Sequence, residues 1–440
     1  MQANATDAKT DLKSGELYWN VLNPNRLDAP RLDCDIECDV VVIGSGITGA
    51  FVAYELAAAG IDTVVVDRRE IGQGSTPAST ALVQYELDVT LTELSQKHGE
   101  EQADATYIAC HSAVGEIEKL CRQLGLGDRT RKRGSLYLAA SGADIALLQE
   151  EAIRRQSCGI PCELLDRHAL ITRCRFDRPC GIFSPQGIEV DPVALTFALH
   201  RASGNAGVQF FARTDVSMSS MSPGEVRLVC EHGPEIRARK VVYASGYETP
   251  GLLRRPICTY RSTYALATEP IDREKFWPGR CLVWEHADPY FYIRSTPDNR
   301  ILIGGEDIVE SDPALRDQKL RRKGVALLRK LHMLMPWLNV SAAYEWAGTF
   351  AVTDDGLPYI GSTPELPGCE FALGYGGNGI TFGYIAAQII RDNVMGRANP
   401  LGPLFSFDRG GDKASETCAP VTKHHSRLHW PWSRIAKYVQ

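Results

Sequence analysis

The sequence predicts an α/β protein with two packed lobes, and three observations support this fold class. First, the chain has 440 residues, more than a single hydrophobic core usually serves. Second, an apolar strand, a glycine-rich turn, a helix and another apolar strand follow one another within residues 40–66. Third, strand-forming sequence dominates residues 260–305, which indicates a separate antiparallel sheet.

The composition is typical of a globular protein and does not favour a nucleic-acid partner. Hydrophobic residues make up 44% of the chain and charged residues 23%, as in ordinary globular proteins. The 48 Lys and Arg residues are outnumbered by 54 Asp and Glu residues, so a nucleic-acid partner is not expected. Residues 1–38 contain no visible targeting segment, and no apolar run is long enough to form a transmembrane segment. These features predict a cytoplasmic protein.

The cysteines do not predict a metal site. There are 13 of them, scattered from Cys34 to Cys418, and the CxxxC pairs lack the spacing of structural zinc sites. We interpret them as buried or incidental thiols in a reducing compartment.

The first structural unit is a parallel βαβ unit. Val40–Ile43 is a continuous apolar run, typical of a parallel strand that is buried on both faces. Residues 47–59 have the composition of a helix, and Gly60 is a suitable helix stop. Thr63–Val66 is the second buried strand. A helix must cross over between the two strands, because parallel strands cannot be joined by a tight turn.

The turn at residues 44–49 has the pattern GxGxxG in the context that the pattern requires, between a buried strand and a helix. Its glycines allow a tight turn, close approach of a pyrophosphate, and close packing of helix on strand. The helix N-terminus offers free N–H groups to the phosphates. The residues predicted to bind the cofactor here are Gly44, Gly46, Ile47, Thr48 and Gly49.

An acidic residue follows at the end of the second strand. Asp67 lies 18 residues beyond Gly49, close to the spacing expected for the acid that binds a ribose hydroxyl. A carboxylate there disfavours a 2′-phosphate, so the sequence predicts FAD or NAD. Arg68 is expected to flank the adenosine end.

The stretch at residues 72–84, GQGSTPASTALVQ, favours FAD over NAD. A simple NAD domain would continue directly into the next helix and strand, whereas this stretch is rich in small and hydroxyl residues. Such a segment can pass a pyrophosphate and a flavin and offer donors without bulk. The residues predicted to contact the cofactor here are Gly74, Ser75, Thr76, Ser79 and Thr80.

The remaining elements alternate between the two lobes. Asp191 and Pro192 form a typical helix start. The sequence Pro297-Asp298-Asn299 predicts a hairpin turn. The first 36 residues are expected to be a polar arm anchored by Tyr18 and Trp19. The predicted helical segments are residues 91–125, 143–156, 192–203 and 312–339, and a strand, a glycine turn and a helix are predicted between residues 346 and 397.

Four motifs together resemble the D-amino-acid oxidase, glycine oxidase and sarcosine oxidase family of FAD-dependent amine oxidoreductases. They are GSGITG…VVVD, GSTPAST, TDVSMSS…VVYASG, and WAGTFAVTDDGLPYIG followed by GYGGNGITFG. The resemblance spans residues 39–409. It implies a Rossmann-like FAD-binding domain of the glutathione-reductase type and a substrate domain with an antiparallel β-sheet plus helices. The implied ranges are 37–110, 181–260 and 345–400 for the FAD-binding domain, 111–180 and 261–344 for the substrate domain, 1–36 for the N-terminal arm, and 401–440 for the C-terminal tail.

The resemblance also implies further cofactor contacts. Val216 resembles the family residue whose backbone meets the adenine, and the last motif resembles a second helix N-terminus that points at the flavin. Family members that bind FAD covalently use a His or a Cys where this chain has Ala78 and Gly348, so the FAD is expected to be non-covalent. The residues implied are Val216, Gly246, Gly348, Asp355, Gly377, Asn378, Gly379, Ile380 and Thr381.

Two substrate-binding positions of the family are changed in this chain. Phe350 replaces an Arg that clamps a substrate carboxylate in glycine oxidase, and Thr381 replaces a Lys of sarcosine oxidase. The resemblance therefore implies an amine or a larger amino-acid derivative in preference to glycine or sarcosine. Candidate pocket residues are Phe350, Tyr264, Tyr292, Arg294 and Thr381, and Arg261 is a further candidate for binding a carboxylate.

The function expected from the resemblance is oxidation of a C–N bond, with hydride transfer to the flavin and oxygen or a redox partner as electron acceptor. Two alternatives stay open: oxidation of a C–O bond, and a flavin-bound non-catalytic subunit of a larger complex. The basic and aromatic residues within 411–440 could contact a partner or a membrane surface.

Overall fold

The computed structural model describes residues 11–222, 224–254 and 256–409. The strands are β1 Lys13–Gly15, β2 Ile36–Ile43, β3 Thr63–Val66, β4 Leu82–Val83, β5 Thr130–Ala139, β6 Glu163–Asp166, β7 Cys180–Val190, β8 Gln209–Phe211, β9 Val216–Ser222, β10 Glu225–Cys230, β11 Glu235–Tyr243, β12 Thr259–Thr268, β13 Leu282–His286, β14 Phe291–Ser295, β15 Ile301–Ile308, β16 Ala342–Val352, β17 Tyr359–Ser362 and β18 Cys369–Leu373. The helices are α1 Tyr18–Leu22, α2 Ile47–Ala58, α3 Leu91–His98, α4 Glu100–Gln123, α5 Ile145–Ser157, α6 Arg167–Cys174, α7 Pro192–Asn205, α8 Pro313–Leu334, α9 Gly379–Val394 and α10 Gly402–Phe405.

An eight-stranded sheet has the order β17-β18-β11-β2-β3-β8, and β10 and β9 continue from β11 as antiparallel strands. The neighbouring strands from β18 to β8 are parallel to one another. Helices α2, α7 and α9 pack together beside this part of the sheet. The valines of β2 and β3 are fully buried, which explains their uninterrupted apolar sequence. The predicted βαβ unit is confirmed, and β2 starts earlier than predicted because Ile36 pairs with Ile236 of β11.

A ten-stranded, mainly antiparallel sheet has the order β1-β16-β12-β15-β14-β13-β5-β7-β4, with β6 paired to β7. The hairpin of β14 and β15 turns at residues 296–300, so the prediction of a turn there is confirmed. Helix α8 covers one side of this sheet, where its leucines pack against Tyr264 and Leu266 of β12. The opposite side of β12 and β16 faces the eight-stranded sheet.

Residues 11–22 form a strand and a short helix that pack into the core, where the sequence predicts a polar arm anchored by Tyr18 and Trp19. Strand β1 pairs with β16 and forms an edge of the ten-stranded sheet. Tyr18 and Trp19 of α1 are fully buried, and the Trp19 indole donates a hydrogen bond to the carbonyl of Ser79. This segment belongs to the core because it provides an edge strand and two large aromatic side chains.

The chain passes from one sheet to the other at residues that differ from those implied by the resemblance. Strand β7, at residues 180–190, and strand β16, at residues 342–352, belong to the ten-stranded sheet. The ranges 181–260 and 345–400, expected for the FAD-binding domain, therefore each begin with a strand of the other sheet. We propose that the domain boundaries lie at Asp191 and Thr353, where these strands end.

The helical stretch predicted after Leu91 is divided into α3 and α4 because Gly99 has a φ of +86°, which ends one helix before the next begins. No described helix is long and apolar enough to cross a bilayer. The tail at residues 411–440, with its proposed partner or membrane contact, lies outside the described residues.

Candidate functional site

A deep cavity lies between the two sheets and is lined by residues from both. The residues predicted from the sequence that line it are Gly44, Gly46, Ile47, Thr48, Asp67, Arg68, Gly74, Ser75, Thr76, Ser79, Thr80, Val216, Gly246, Tyr292, Gly348, Phe350, Gly377, Asn378, Gly379, Ile380 and Thr381. The fold thus collects segments that are up to 337 residues apart in the chain, from Gly44 to Thr381, around one space.

The glycine turn after β2 is packed as the sequence predicts. A Cβ atom on Gly44 would lie 2.5 Å from the carbonyl oxygen of Ala244, and one on Gly49 would lie 1.8 Å from that of Gly44. Gly49 is therefore not a cavity residue, since it supports the turn from behind. A Cβ on Gly46 would meet only the Thr76 hydroxyl, at 3.2 Å, so the first turn of α2 stays open to the cavity.

Asp67 braces the same turn from the end of β3. Its Oδ2 atom accepts hydrogen bonds from the Ser45 amide at 2.8 Å and the Ser45 hydroxyl at 2.7 Å, and its Oδ1 atom accepts from the Arg69 amide. Burial raises the pKa of Asp67, while these hydrogen bonds oppose the rise. Arg68 and Arg69 both form ion pairs with Glu248, which also lines the cavity. The Asp67 carboxylate is thus already engaged, and it retains lone pairs for a ribose hydroxyl.

The carbonyl groups of the loop that ends at Ala81 point away from the cavity and are held by buried donors. Indole N–H groups donate to two of them: Trp346 to Ala78 at 2.9 Å and Trp19 to Ser79 at 2.6 Å. The next two carbonyls and that of Val190 accept from one nitrogen of Arg294, with distances of 3.3, 2.6 and 2.9 Å. With its carbonyls occupied, the loop offers the side chains of Ser79 and Thr80 to the cavity.

A second helix N-terminus faces the cavity from the glycine turn at residues 374–379. The Asn378 side chain donates to the carbonyl of Glu86 at 2.8 Å, so it does not cap α9. The N–H groups of the first turn of α9 therefore have no side-chain acceptor, and they face a cavity wall formed by Gly379 and Ile380. Such a helix end favours a negatively charged or carbonyl oxygen.

The ten-stranded sheet contributes an aromatic and acidic wall. Tyr290 and Tyr292 line the cavity, with ring centroids 5.9 Å apart, and Phe350 and Trp284 line it as well. Asp88, which no sequence pattern singled out, also lines it, and its Oδ2 atom accepts a hydrogen bond from the Gly377 amide at 2.8 Å. Desolvation raises the pKa of Asp88.

A β-bulge places a second acid beside this wall. Ser262 pairs with Ile308 and Tyr264 with Gly305, so Thr263 faces two residues, Glu306 and Asp307. Glu306 has a φ of +58°. The bulge leaves Gly305 and Glu306 on the α8 side of the sheet, so that Asp307 and not Glu306 is turned to the other side: the carboxylate of Glu306 is paired with lysines of α8, whereas Asp307 lies beside Thr263 and Tyr290. Burial raises the pKa of Asp307 to about 6.

Three residues predicted for the site lie elsewhere. Tyr264 is fully buried under α8, because strand alternation turns Thr263, and not Tyr264, toward the cavity. Arg294 is fully buried and holds backbone carbonyls, so it is not free to bind a substrate. Asp355 is paired with Arg409 at 2.7 Å and lies against α3, away from the cavity. The structure places these side chains away from the cavity because of strand register and long-range pairing, which cannot be read from local sequence.

The fold and the cavity define a protein that binds a dinucleotide at the carboxyl edge of a parallel sheet. FAD fits the residues present: an open glycine turn for the pyrophosphate, a buried acid for the ribose, and a second helix end and a hydroxyl-lined loop for the flavin. Among the described residues, no group of three or more His, Cys, Asp or Glu side chains is placed to hold a metal.

Comparison with known proteins identifies the family. The family model described as FAD dependent oxidoreductase matches residues 39–393, and the chain belongs to this family. It is therefore an FAD-dependent oxidoreductase. The motif resemblance found in the sequence is confirmed.

Individual relatives are distant but cover most of the chain. A glycine oxidase of Bacillus licheniformis is 27% identical over 373 residues, which cover 82% of this chain and 94% of the relative. A gamma-glutamylputrescine oxidoreductase of Escherichia coli is 26% identical, over 83% of this chain and 86% of the relative. The crystal structure of glycine oxidase from Geobacillus kaustophilus has a TM-score of 0.70 at 21% identity, covering 85% of this chain and 99% of that chain. The structural similarity shows that the fold is shared.

Arg294→Met tests the support of the loop at residues 78–81. The substitution keeps much of the side-chain volume and leaves three buried carbonyls without their donor. We expect the free energy of unfolding, measured by urea titration at saturating FAD, to fall by roughly 2–4 kcal/mol. The exposed Arg321→Met is the control, and it should change this free energy by less than about 0.5 kcal/mol. A similarly small change in Arg294→Met would contradict the assignment.

Asp307→Asn tests the buried acid through the pH dependence of stability. The folded-state pKa of Asp307, about 6, lies above its ordinary value of 3.8, so the folded protein binds the extra proton between these values. Wild-type stability therefore falls as pH rises through this window. Relative to the wild type, Asp307→Asn should gain roughly 2 kcal/mol between pH 4.5 and 7 in thermal or urea unfolding. A stability difference that stays constant with pH, as in the exposed Asp128→Asn control, would contradict this account.

Proposed function

We propose that this FAD-dependent oxidoreductase oxidises a C–N bond of an amine or amino-acid derivative larger than glycine or sarcosine. The observation that carries the proposal is the aromatic wall formed by Tyr290, Tyr292 and Phe350, which faces the loop and helix end assigned to the flavin. Amino compounds also appear in the names of the two relatives, glycine oxidase and gamma-glutamylputrescine oxidoreductase.

The chain's own residues have limited tasks in this reaction. When bound, FAD would supply the acceptor for a hydride from the carbon next to nitrogen, and the imine left on the substrate would hydrolyse in water. The aromatic wall orients the substrate and excludes water from the reacting carbon. The free N–H groups of α9 stabilise negative charge that accumulates beside them.

The positions that bind a substrate carboxylate in family members support a different substrate here. Phe350 lines the cavity with an apolar ring. The Thr381 side chain is buried, and its hydroxyl donates to the carbonyl of Gln84 at 3.0 Å, so this donor is already occupied. Neither residue offers a positive charge to a carboxylate, which favours an amine or a blocked amino acid.

We also propose that the FAD is held without a covalent bond. Ala78 and Gly348, the two positions used for attachment in the family, are neighbours: a Cβ on Gly348 would lie 3.4 Å from that of Ala78. Neither has a nucleophilic side chain, and the described cavity wall contains no Cys or His.

We also propose that the electron acceptor is oxygen or a redox partner and that the protein resides in the cytoplasm. No cluster of Lys or Arg from the described ten-stranded sheet lines the cavity, so a phosphate-bearing C–O substrate has no support from the wall. The predicted cofactor-binding residues that line the cavity are proposed as its cofactor contacts, and Phe350 and Tyr292 as substrate contacts.

Anaerobic reduction of the bound flavin tests the reaction. A panel of primary amines, N-alkyl amines, amino-acid amides and hydroxy acids is added to the purified holoprotein, and the absorption band at about 450 nm is followed. We expect bleaching with members of the amine classes and none with hydroxy acids. Bleaching by hydroxy acids alone, or by no compound of any class, would contradict the proposed function. Parallel assays of oxygen uptake and dye reduction assign the electron acceptor.

Acid precipitation tests the mode of attachment. Because no Cys or His lies on the described wall, we expect trichloroacetic acid to release all of the flavin into the supernatant and to leave a colourless pellet. The supernatant flavin should migrate as FAD in chromatography. A yellow pellet after repeated washing would show a covalent bond.

A further inference from the structure

Two carboxyl groups and one guanidinium group lie together at the aromatic wall. Asp88 lines the cavity, and Asp307 lies beside the cavity residues Thr263 and Tyr290. Arg261 pairs with Phe350 across β12 and β16, so its side chain leaves the sheet on the same face as Phe350. The charge of Asp88 raises the pKa of Asp307, and the charge of Arg261 lowers it. With both acids ionised, the cluster has an excess of one negative charge.

The acids are only partly satisfied by the protein. Both carboxylate oxygens of Asp307 are buried without a well-formed hydrogen bond, although the hydroxyls of Thr263 and Tyr290 lie close to them. Asp88 accepts one hydrogen bond, from the amide of Gly377. A buried carboxylate that lacks partners, as that of Asp307 does, is costly unless a donor or a cation joins it, whereas the Asp88 carboxylate is accessible from the cavity.

The surrounding rings suit a cation as well. Tyr247, Tyr290 and Tyr292 all line the cavity, and Tyr247 extends its hydroxyl to the carbonyl of Gly376, beside the Asp88 carboxylate. The faces of tyrosine rings attract ammonium groups, most strongly where water is excluded. The negative charge of the acids and the tyrosine rings therefore both favour a positively charged ligand.

We propose that Asp88, Asp307 and the three tyrosines form a subsite for an ammonium group of the substrate. This inference rests on the proposed function and deepens it: besides the C–N bond that is oxidised, the substrate carries a second, positively charged amine, as in a diamine or a polyamine derivative. Asp88 contacts the ammonium group directly, and Asp307 adds negative potential from behind Tyr290.

Arg261 does not convert this subsite into a carboxylate site. Its Nε atom is buried without a hydrogen-bond partner, and its charge offsets one of the two acids. A substrate carboxylate at the wall would face the like charges of Asp88 and Asp307, which would repel it.

Binding of two non-reacting probes tests the subsite without turnover. Isothermal titration of the FAD-loaded protein compares tetramethylammonium with trimethylacetate, an anion of similar shape. We expect tetramethylammonium to bind at least about ten-fold more tightly than trimethylacetate, and Asp88→Asn to weaken its binding by about ten-fold. The variant should retain its FAD, since asparagine can still accept the hydrogen bond from Gly377. Asp128→Asn, an exposed substitution, is the control and should leave both affinities unchanged.

Kinetics distinguish failure of this inference from failure of the proposed function. For the wild type, we expect kcat/KM for 1,4-diaminobutane to exceed that for butylamine at least about ten-fold, and Asp88→Asn to abolish this preference. If amines reduce the flavin but tetramethylammonium binds no more tightly than trimethylacetate in the wild type, the cation subsite is wrong and the proposed function stands. If binding of tetramethylammonium depends on Asp88 but no amine reduces the flavin, the subsite stands and the proposed function is wrong.

Discussion

Four consecutive backbone carbonyls, from Ala78 to Ala81, are held by buried donors, and the cavity depends on this arrangement. Trp19 and Trp346 each hold one carbonyl, and Arg294 holds the other two together with that of Val190. A buried loop must satisfy its own backbone, or it would close on itself or admit water. Because the donors come from the N-terminal segment and from the ten-stranded sheet, the same hydrogen bonds also join that sheet to the loop.

The two sheets make unequal contributions to the cavity. The eight-stranded sheet supplies a general dinucleotide site: a glycine turn, a helix end, and Asp67 bound to the turn. The ten-stranded sheet supplies the features particular to this chain, among them the aromatic wall and the bulge that turns Asp307, and not Glu306, away from α8. A bulge is suited to this task, since one extra residue reverses the side toward which the next side chain points. We infer that cofactor binding is set by the first sheet and substrate charge by the second.

The sequence was sufficient to predict features that need only a local pattern of residues. It did not predict features that depend on which strands or distant residues pair with each other. The glycine turn, Asp67 and the helix cap at Asp191 were predicted because each needs a particular residue type at a particular spacing. Tyr264 and Arg294 were misplaced because a single step in strand register or one distant carbonyl changes what a side chain contacts. Asp88 was missed for the same reason: its partner, the Gly377 amide, lies 289 residues away in the chain.

Amide hydrogen exchange of the FAD-free and FAD-loaded protein tests the central claim most directly. If the loop keeps its carbonyls on buried donors and turns its other groups to the cofactor, FAD should slow exchange in peptides that cover residues 44–49, 74–80 and 377–381. Peptides of α8 should be unaffected, since this helix lies on the far side of the ten-stranded sheet. Unchanged exchange at residues 74–80 on binding of FAD would contradict the account.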